Sequence, residues 1–309
     1  KANQGGKKLK FKKTQNNHSF MKSYIKVIVS KIYNTLLRLS IDNDLNKLFC
    51  QFFRLRFFWN HRELKIKEIK IEGIDGFEIS NIKTDLKRSF IIKNQGYLSY
   101  HNGFDFRAKD LGVNTYMLNL VKFSSNDIVF DIGANLGDLS LYFETIEPKI
   151  SYFGFEPGKY EYYCLKRNVQ NKPSYKIFQL ALGVKNENKN FYYKPKNGDS
   201  SLVKMADYTK KTVVQVKTLD TIIEELGIQD RRIKLIKLEA EGYEPEIIMS
   251  CKKYIKNIEY ISADLGFERG ENEETTSPAV INFLLQNNFE ILQQGRDRNT
   301  FLFHSKNNF

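Results

Sequence analysis

Histidine and cysteine are scarce in this chain, and their scarcity removes whole classes of chemistry. The 309 residues include four histidines, His18, His61, His101 and His304, and three cysteines, Cys50, Cys164 and Cys251. None of them falls at metal-ligand spacing, which argues against a zinc site built from thiolates and imidazoles. Cysteines that are odd in number and far apart do not make a disulfide framework. They read as small buried apolar residues in a reducing compartment, so a cytoplasmic protein is expected. Long apolar runs are missing too. No stretch reaches the roughly 18–20 uninterrupted apolar residues of a membrane-spanning helix.

Basic excess is absent from most of the chain, although the net charge is +13. Residues 1–70 carry 17 Lys and Arg against four Asp and Glu, whereas residues 71–309 hold 32 of each sign. A body that is neutral overall supplies no basic groove along a nucleic-acid backbone, and no nucleic acid is expected as a partner. Residues 1–20, polar and Lys-rich, read as a disordered basic leader. Residues 21–65 read as a basic amphipathic helical segment: Tyr24, Val27, Ile28, Ile32, Leu36 and Leu39 follow helical spacing, with Lys22, Lys26, Lys31 and Arg38 between them. An aromatic run from Phe49 to Trp59 then surrounds Arg54 and Arg56. Either this segment packs as a helical subdomain, or it makes peripheral contact with a membrane, at its inner surface.

Residues 66–126 read as a small β-rich and helical lead-in or cap, with strand patterns at 66–71, 77–79 and 90–92. The polar residues His101, Asp105, Arg107, Asp110 and Tyr116 either line a pocket or form a solvated loop. Next comes the densest signal in the chain. The apolar run Ile128-Val129-Phe130 leads into Asp131-Ile-Gly133-Ala134-Asn135-Leu-Gly137. A dinucleotide fingerprint needs G-x-G-x-x-G, and Asn135 stands where its second glycine belongs. Asp131 would repel a phosphate and attract the positive sulfonium and amino group of S-adenosylmethionine. Phe155-Glu156-Pro157 follows at the spacing of a ribose-binding acid.

From residue 127 the pattern alternates: strands at 127–132, 151–156, 175–181, 232–239 and 257–264, helices near 136–146, 159–171, 218–226, 244–254 and 276–287, and closing strands 288–294 and 299–305. Such alternation predicts an α/β fold with a mostly parallel sheet of seven strands covered on both faces, and an antiparallel strand near the C-terminus. Ligands in such sheets sit at the carboxyl ends of the strands, where Asp131, Glu156, Ala181, Glu239 and Asp264 fall. The insertion 183–216 reads as a hairpin or lid carrying Gly198-Asp-Ser-Ser201. In Glu239-Ala-Glu241-Gly-Tyr-Glu244-Pro245-Glu246, Pro245 suits a first helical turn, and Glu244 and Glu246 suit the positive end of the helix dipole. Glu239 and Glu241 are left for chemistry.

Together these residues resemble the FkbM family of S-adenosylmethionine-dependent methyltransferases. The matching blocks are Asp131–Gly137, Phe155-Glu-Pro157 with Leu165 and Asn168, Gly198–Leu202, Val216-Lys-Thr-Leu-Asp220 and Ile236-Lys-Leu-Glu-Ala-Glu-Gly-Tyr-Glu244. Glu239 stands where that family usually has aspartate. The resemblance, over roughly 125–305, implies a class I methyltransferase Rossmann-like sheet carrying a basic helical N-terminal extension. It implies S-adenosyl-L-methionine held by Asp131, Gly133, Ala134, Asn135, Gly137, Glu156, Pro157, Ala181 and Glu239. It also implies methylation of a hydroxyl of a sugar, glycan or glycolipid, with Glu239, Glu241, Asp264 and His101 as candidate catalytic residues. A divalent cation is the alternative means of activating the hydroxyl. A small-metabolite or nucleic-acid methyltransferase and a non-catalytic cofactor-binding module are the competing readings.

Overall fold

The computed structural model describes residues 31–43, 45–194, 199–206 and 208–307. The basic leader 1–20, the first part of the amphipathic segment and Gly198 lie outside the described residues. Residues 31–42 form α1, and α2 follows at Asn46–Asn60. Phe49, Phe52, Phe53 and Phe57 point inward from α2. They pack on an antiparallel sheet of β1 (Leu64–Ile71), β2 (Ile74–Asn81) and β3 (Lys87–Phe90). Glu72 and Gly73, both at positive φ, make the tight β1–β2 turn that a two-residue hairpin requires. Most of the aromatic run is thus core, and only Leu55, Phe58 and Trp59 remain on the surface. For this part of the segment the packing is that of the helical-subdomain alternative, since apolar rings that find a sheet are buried there.

Short helices α3 (Lys93–Tyr100) and α4 (Phe104–Lys109) lead through a π-helical turn, Asp110–Thr115, to the main sheet. There, β4 (Ile128–Ile132), α5 (Ser140–Thr145), β5 (Ser151–Phe155), α6 (Lys159–Val169) and β6 (Tyr175–Phe178) follow one another. Just before the insertion comes β7 (Ala181–Leu182), and with β8 (Glu187–Lys194), β9 (Asp199–Ser201) and β10 (Lys210–Lys217) it forms a separate four-stranded sheet. After α7 (Leu219–Glu225), β11 (Ile233–Leu238) and α8 (Glu244–Ile248) comes β12 (Ile258–Asp264). A small hairpin, β13 (Phe267–Arg269) and β14 (Glu274–Thr275), precedes α9 (Ser277–Gln286), β15 (Phe289–Gln294) and β16 (Thr300–Ser305).

The main sheet has the order β15-β16-β12-β11-β4-β5-β6. Strands β4 and β11 are buried along their whole length, as parallel strands covered on both faces must be. Strand β16 runs antiparallel to both neighbours. The turn that feeds it therefore arrives at the carboxyl edge of the sheet, beside the end of β12.

Several boundaries differ from the sequence reading; in the N-terminal sheet, β3 lies at Lys87–Phe90 where 90–92 is expected. Helix α5 begins four residues late, because Asn135 and Gly137 take positive φ and hold the chain in a turn. Helix α8 stops at Ile248, and the carboxylate of Asp220 takes the N–H groups of Lys252 and Lys253, where a longer helix would have run on. The strand expected over 175–181 is split: β7 leaves the main sheet to pair with β10.

Candidate active site

The glycine turn after β4 is built by close backbone approach. Gly133 has φ +72, and a side chain there would meet the carbonyl oxygen of Glu239 at 1.8 Å. Only glycine lets the ends of β4 and β11 come so near. Gly133 and Ala134 each donate an N–H to the carbonyl of Phe155 at 3.0 Å. Asn135 donates its own to Glu156 Oε2 at 2.8 Å, and its side chain bonds Gln95 from α3. The turn thus ties three strand ends together and leaves a cleft above them.

Gly133, Asn135, Glu156, Pro157, Ala181, Glu239 and Glu241 all line that cleft. Phe155, Leu180, Leu182 and Leu202 give it apolar walls, and Tyr243 and Glu161 complete it. Ala134 and Gly137 stand behind the wall, Gly137 because a side chain would run into Leu165. Apolar walls, a bare turn and several carboxylates fit a nucleoside that carries a positive charge. From the hydroxyl loop, Ser200 lines the cleft and Ser201 donates to the carbonyl of Glu241 at 2.7 Å.

Asp131 is fully buried. Tyr152 donates its hydroxyl to Oδ2 at 2.5 Å, and the Lys237 ammonium lies 3.1 Å from Oδ1. Lys237 sits directly opposite on β11. Asp131 does not itself line the cleft: it is paired with a buried lysine that also donates to the carbonyl of Gly133 at 2.7 Å, so any attraction it exerts on a sulfonium is offset by that ammonium.

Glu239 is held from three sides. Tyr116 donates its hydroxyl to Oε2, Lys237 lies 3.5 Å from the same oxygen, and Arg298 reaches Oε1 at 3.0 Å. Burial raises its pKa, but the cations and the tyrosine outweigh burial and bring it down to about 2. A carboxylate so stabilised is a poor proton acceptor, so of the roles open to Glu239 as a candidate catalytic residue this geometry favours positioning over proton transfer. Asp264 shares Arg298 at 2.5 Å, and burial, then Glu239, raises its pKa. Glu268 on β13 is raised as well, by burial and then by Asp264.

His101 is not brought to this cleft. Its ring stacks on Tyr97, with Arg56 donating to its carbonyl, and burial lowers its pKa. Among the described residues, no group of three or more His, Cys, Asp or Glu side chains could hold a metal ion. The divalent cation therefore has no donor set here; Arg298 takes the place between Glu239 and Asp264. Glu244 accepts the N–H groups of Ala240 and Gly242 and so fixes the turn after β11, while Arg269 clamps Glu246.

Lys237, Arg298, Glu161 and Glu268 escaped the sequence reading as site residues. Arg298 had one usable signal: an antiparallel β16 must begin beside the carboxyl ends of the parallel strands. Tyr116 was among the polar residues with two open readings, pocket lining or solvated loop, and its partner Glu239, 123 residues away, was not legible.

The family model described as the methyltransferase FkbM domain matches residues 131–291. The chain is 22% identical over 228 residues to the 2-O-methyltransferase NoeI of Sinorhizobium fredii (strain NBRC 101917 / NGR234), which covers 68% of this chain and 91% of that protein. Among solved structures it is similar to Aeropyrum pernix fibrillarin in complex with natively bound S-adenosyl-L-methionine, at 9% identity and a TM-score of 0.39, covering 74% of this chain and 92% of that one. It is also similar to the ribosomal protein L11 methylase of Lactobacillus delbrueckii subsp. bulgaricus, at 11% identity and a TM-score of 0.36, covering 64% and 75%. The family match takes in just over half of the chain, from the buried aspartate that opens the glycine turn to the strand beside β16, and the chain belongs to the FkbM methyltransferases, enzymes that depend on S-adenosylmethionine.

Proposed function

We propose that this enzyme methylates a hydroxyl of a sugar, in a glycan or a glycolipid. The observation that carries the reading is the polar cluster of Tyr116, Glu239, Arg298, Asp264 and Glu268 at the ends of β11 and β12, at the edge of the cleft. Fixed carboxylates and a guanidinium are the groups that hold a polyol, because each hydroxyl both donates and accepts. The likeness to a protein named as a 2-O-methyltransferase points the same way.

S-adenosylmethionine, when bound, supplies a methyl group on a sulfonium. The chain has to hold the acceptor oxygen in line with it and take up the hydroxyl proton. Asp264 and Glu268, raised by burial, suit that second task better than Glu239. Glu239 and Lys237 instead fix the floor of the cleft. The exposed Leu55, Phe58 and Trp59, close in sequence to Arg54 and Arg62, support peripheral membrane contact and hence a lipid-borne acceptor.

The test is transfer of a labelled methyl group to a panel of free sugars, oligosaccharides and lipid-linked sugars, with mass spectrometry locating one added CH₂ on a hydroxyl. Labelling confined to nucleic acid or to amines would overturn the reading.

A further inference from the structure

Two acidic side chains stand together at the β5 end of the cleft, and only one has a full set of partners. Glu156, 7% exposed, accepts the N–H of Asn135 at Oε2 and that of Gly158 at Oε1, at 2.8 and 2.7 Å. Glu161, in the first turn of α6, is 4% exposed and lines the same cleft. Its Oε2 is buried with no hydrogen-bond partner among the described residues. The two carboxylates converge: a side chain added at Gly158 would lie 2.4 Å from Glu161 Oε2 and 2.8 Å from Glu156 Oε1. The first turn of α6 favours a negative charge, but it leaves the buried Oε2 unmatched, which is unfavourable.

We propose that Glu161 is a second donor-binding carboxylate, whose unmatched oxygen accepts a hydrogen bond from an O–H or N–H group of the S-adenosylmethionine nucleoside beside those taken by Glu156. The inference rests on the cofactor class and not on the identity of the acceptor. Without the donor, burial and then the neighbouring Glu161 push Glu156 up to about 8, and burial raises Glu161 too. The groups around the pair are Lys159, Tyr160 and Cys164 on α6, Tyr193 on β8, Lys237 on β11 and Glu241 after it. Among the described residues no cation comes within ion-pair distance of Glu161, so the proton is the natural counter-charge. Hydrogen bonds from the donor favour the ionised carboxylates, and binding therefore releases a proton. Affinity accordingly rises with pH until the pair is ionised in the free enzyme.

The test is calorimetry of the full chain with S-adenosylhomocysteine, from about pH 6 to about pH 9, in buffers of different ionisation heat. The wild type is expected to release a proton near neutrality. Glu161→Gln is expected to bind about ten- to a hundredfold more weakly at the alkaline end and to release less. Without ligand it should melt no lower than wild type, since it replaces a buried, protonated carboxyl with a neutral amide of about the same size, yet gain less from the ligand. Analogues lacking one ribose hydroxyl or the adenine amine identify the donor group: one of them should bind wild type and Glu161→Gln equally. Unchanged affinity and proton release in Glu161→Gln overturn the proposal. So does a variant that melts lower or fails to fold, because the carboxylate would then serve the structure.

Discussion

Lys237 determines more of this site than any residue that touches the cleft. It stands across the sheet from Asp131, donates to the carbonyl of Gly133 at 2.7 Å and faces Glu239. Its burial lowers its pKa, but the two carboxylates, Asp131 first, overcome that and keep it charged. Glu239 is thereby locked in its ionised form. Glu239→Gln should cost about 2 kcal/mol of stability, because Lys237 and Arg298 lose a charged acceptor. It should also weaken S-adenosylhomocysteine binding; urea unfolding and calorimetry read the two effects, and a variant unchanged in both would remove Glu239 from the site. Glu268→Gln should behave in the opposite manner. It should lower methyl transfer about a hundredfold or more with cofactor affinity intact, because only proton uptake is lost.

The elements are joined by a few buried polar side chains, and Asn168 on α6 is the best placed of them. Its amide donates to the carbonyls of Ser89 and Leu136 and accepts the N–H of Ser89. Strand β3 is thus fixed to the glycine turn itself, at Leu136. Arg88 reinforces the joint through Ser140 and Glu144. Asn168→Ala leaves buried backbone groups unmatched and should cost about 2–3 kcal/mol, read by urea unfolding. A loss under about 0.5 kcal/mol would mean that the N-terminal sheet is not held at this point. The same joint explains why the sequence leaves residues 66–126 between a lead-in and a cap. Periodicity marked their strands, but what β3 rests on is set by α5 and α6, which come more than 50 residues later.

At the scale of the whole molecule, charge works in two opposed ways. The pKa of Glu156 is raised from 4.5 to about 8, so its contribution to stability is fully present below about 4.5 and is lost as pH rises through about 8. Glu239, lowered to about 2, contributes above about 4.5 and loses that contribution as pH falls towards 2. A scan of melting temperature against pH should therefore fall on both sides, and saturating S-adenosylhomocysteine should reduce the alkaline fall. A ligand-free protein that gained stability between about pH 6 and about pH 9 would contradict the burial of Glu156. Surface contact follows from the other end of the molecule. Trp59 is 77% exposed, and Phe58 and Leu55 accompany it. Full-length protein should float with anionic liposomes, and Phe58→Ser with Trp59→Ser should reduce flotation about tenfold. Equal flotation would end the membrane proposal.

The sequence by itself determined the seven-stranded sheet, the glycine turn, Glu156 and the family, because these depend on local periodicity, on turn chemistry and on contiguous motifs. Only the tertiary structure decided which carboxylates are paired with cations. A charge acquires its role from the charges folded against it, and Lys237, Tyr116 and Arg298 come to Asp131, Glu239 and Asp264 from distant parts of the chain. The aromatic run of α2 teaches the same lesson: helical spacing identified an apolar face, but only the presence of β1–β3 decided that most of it would be core.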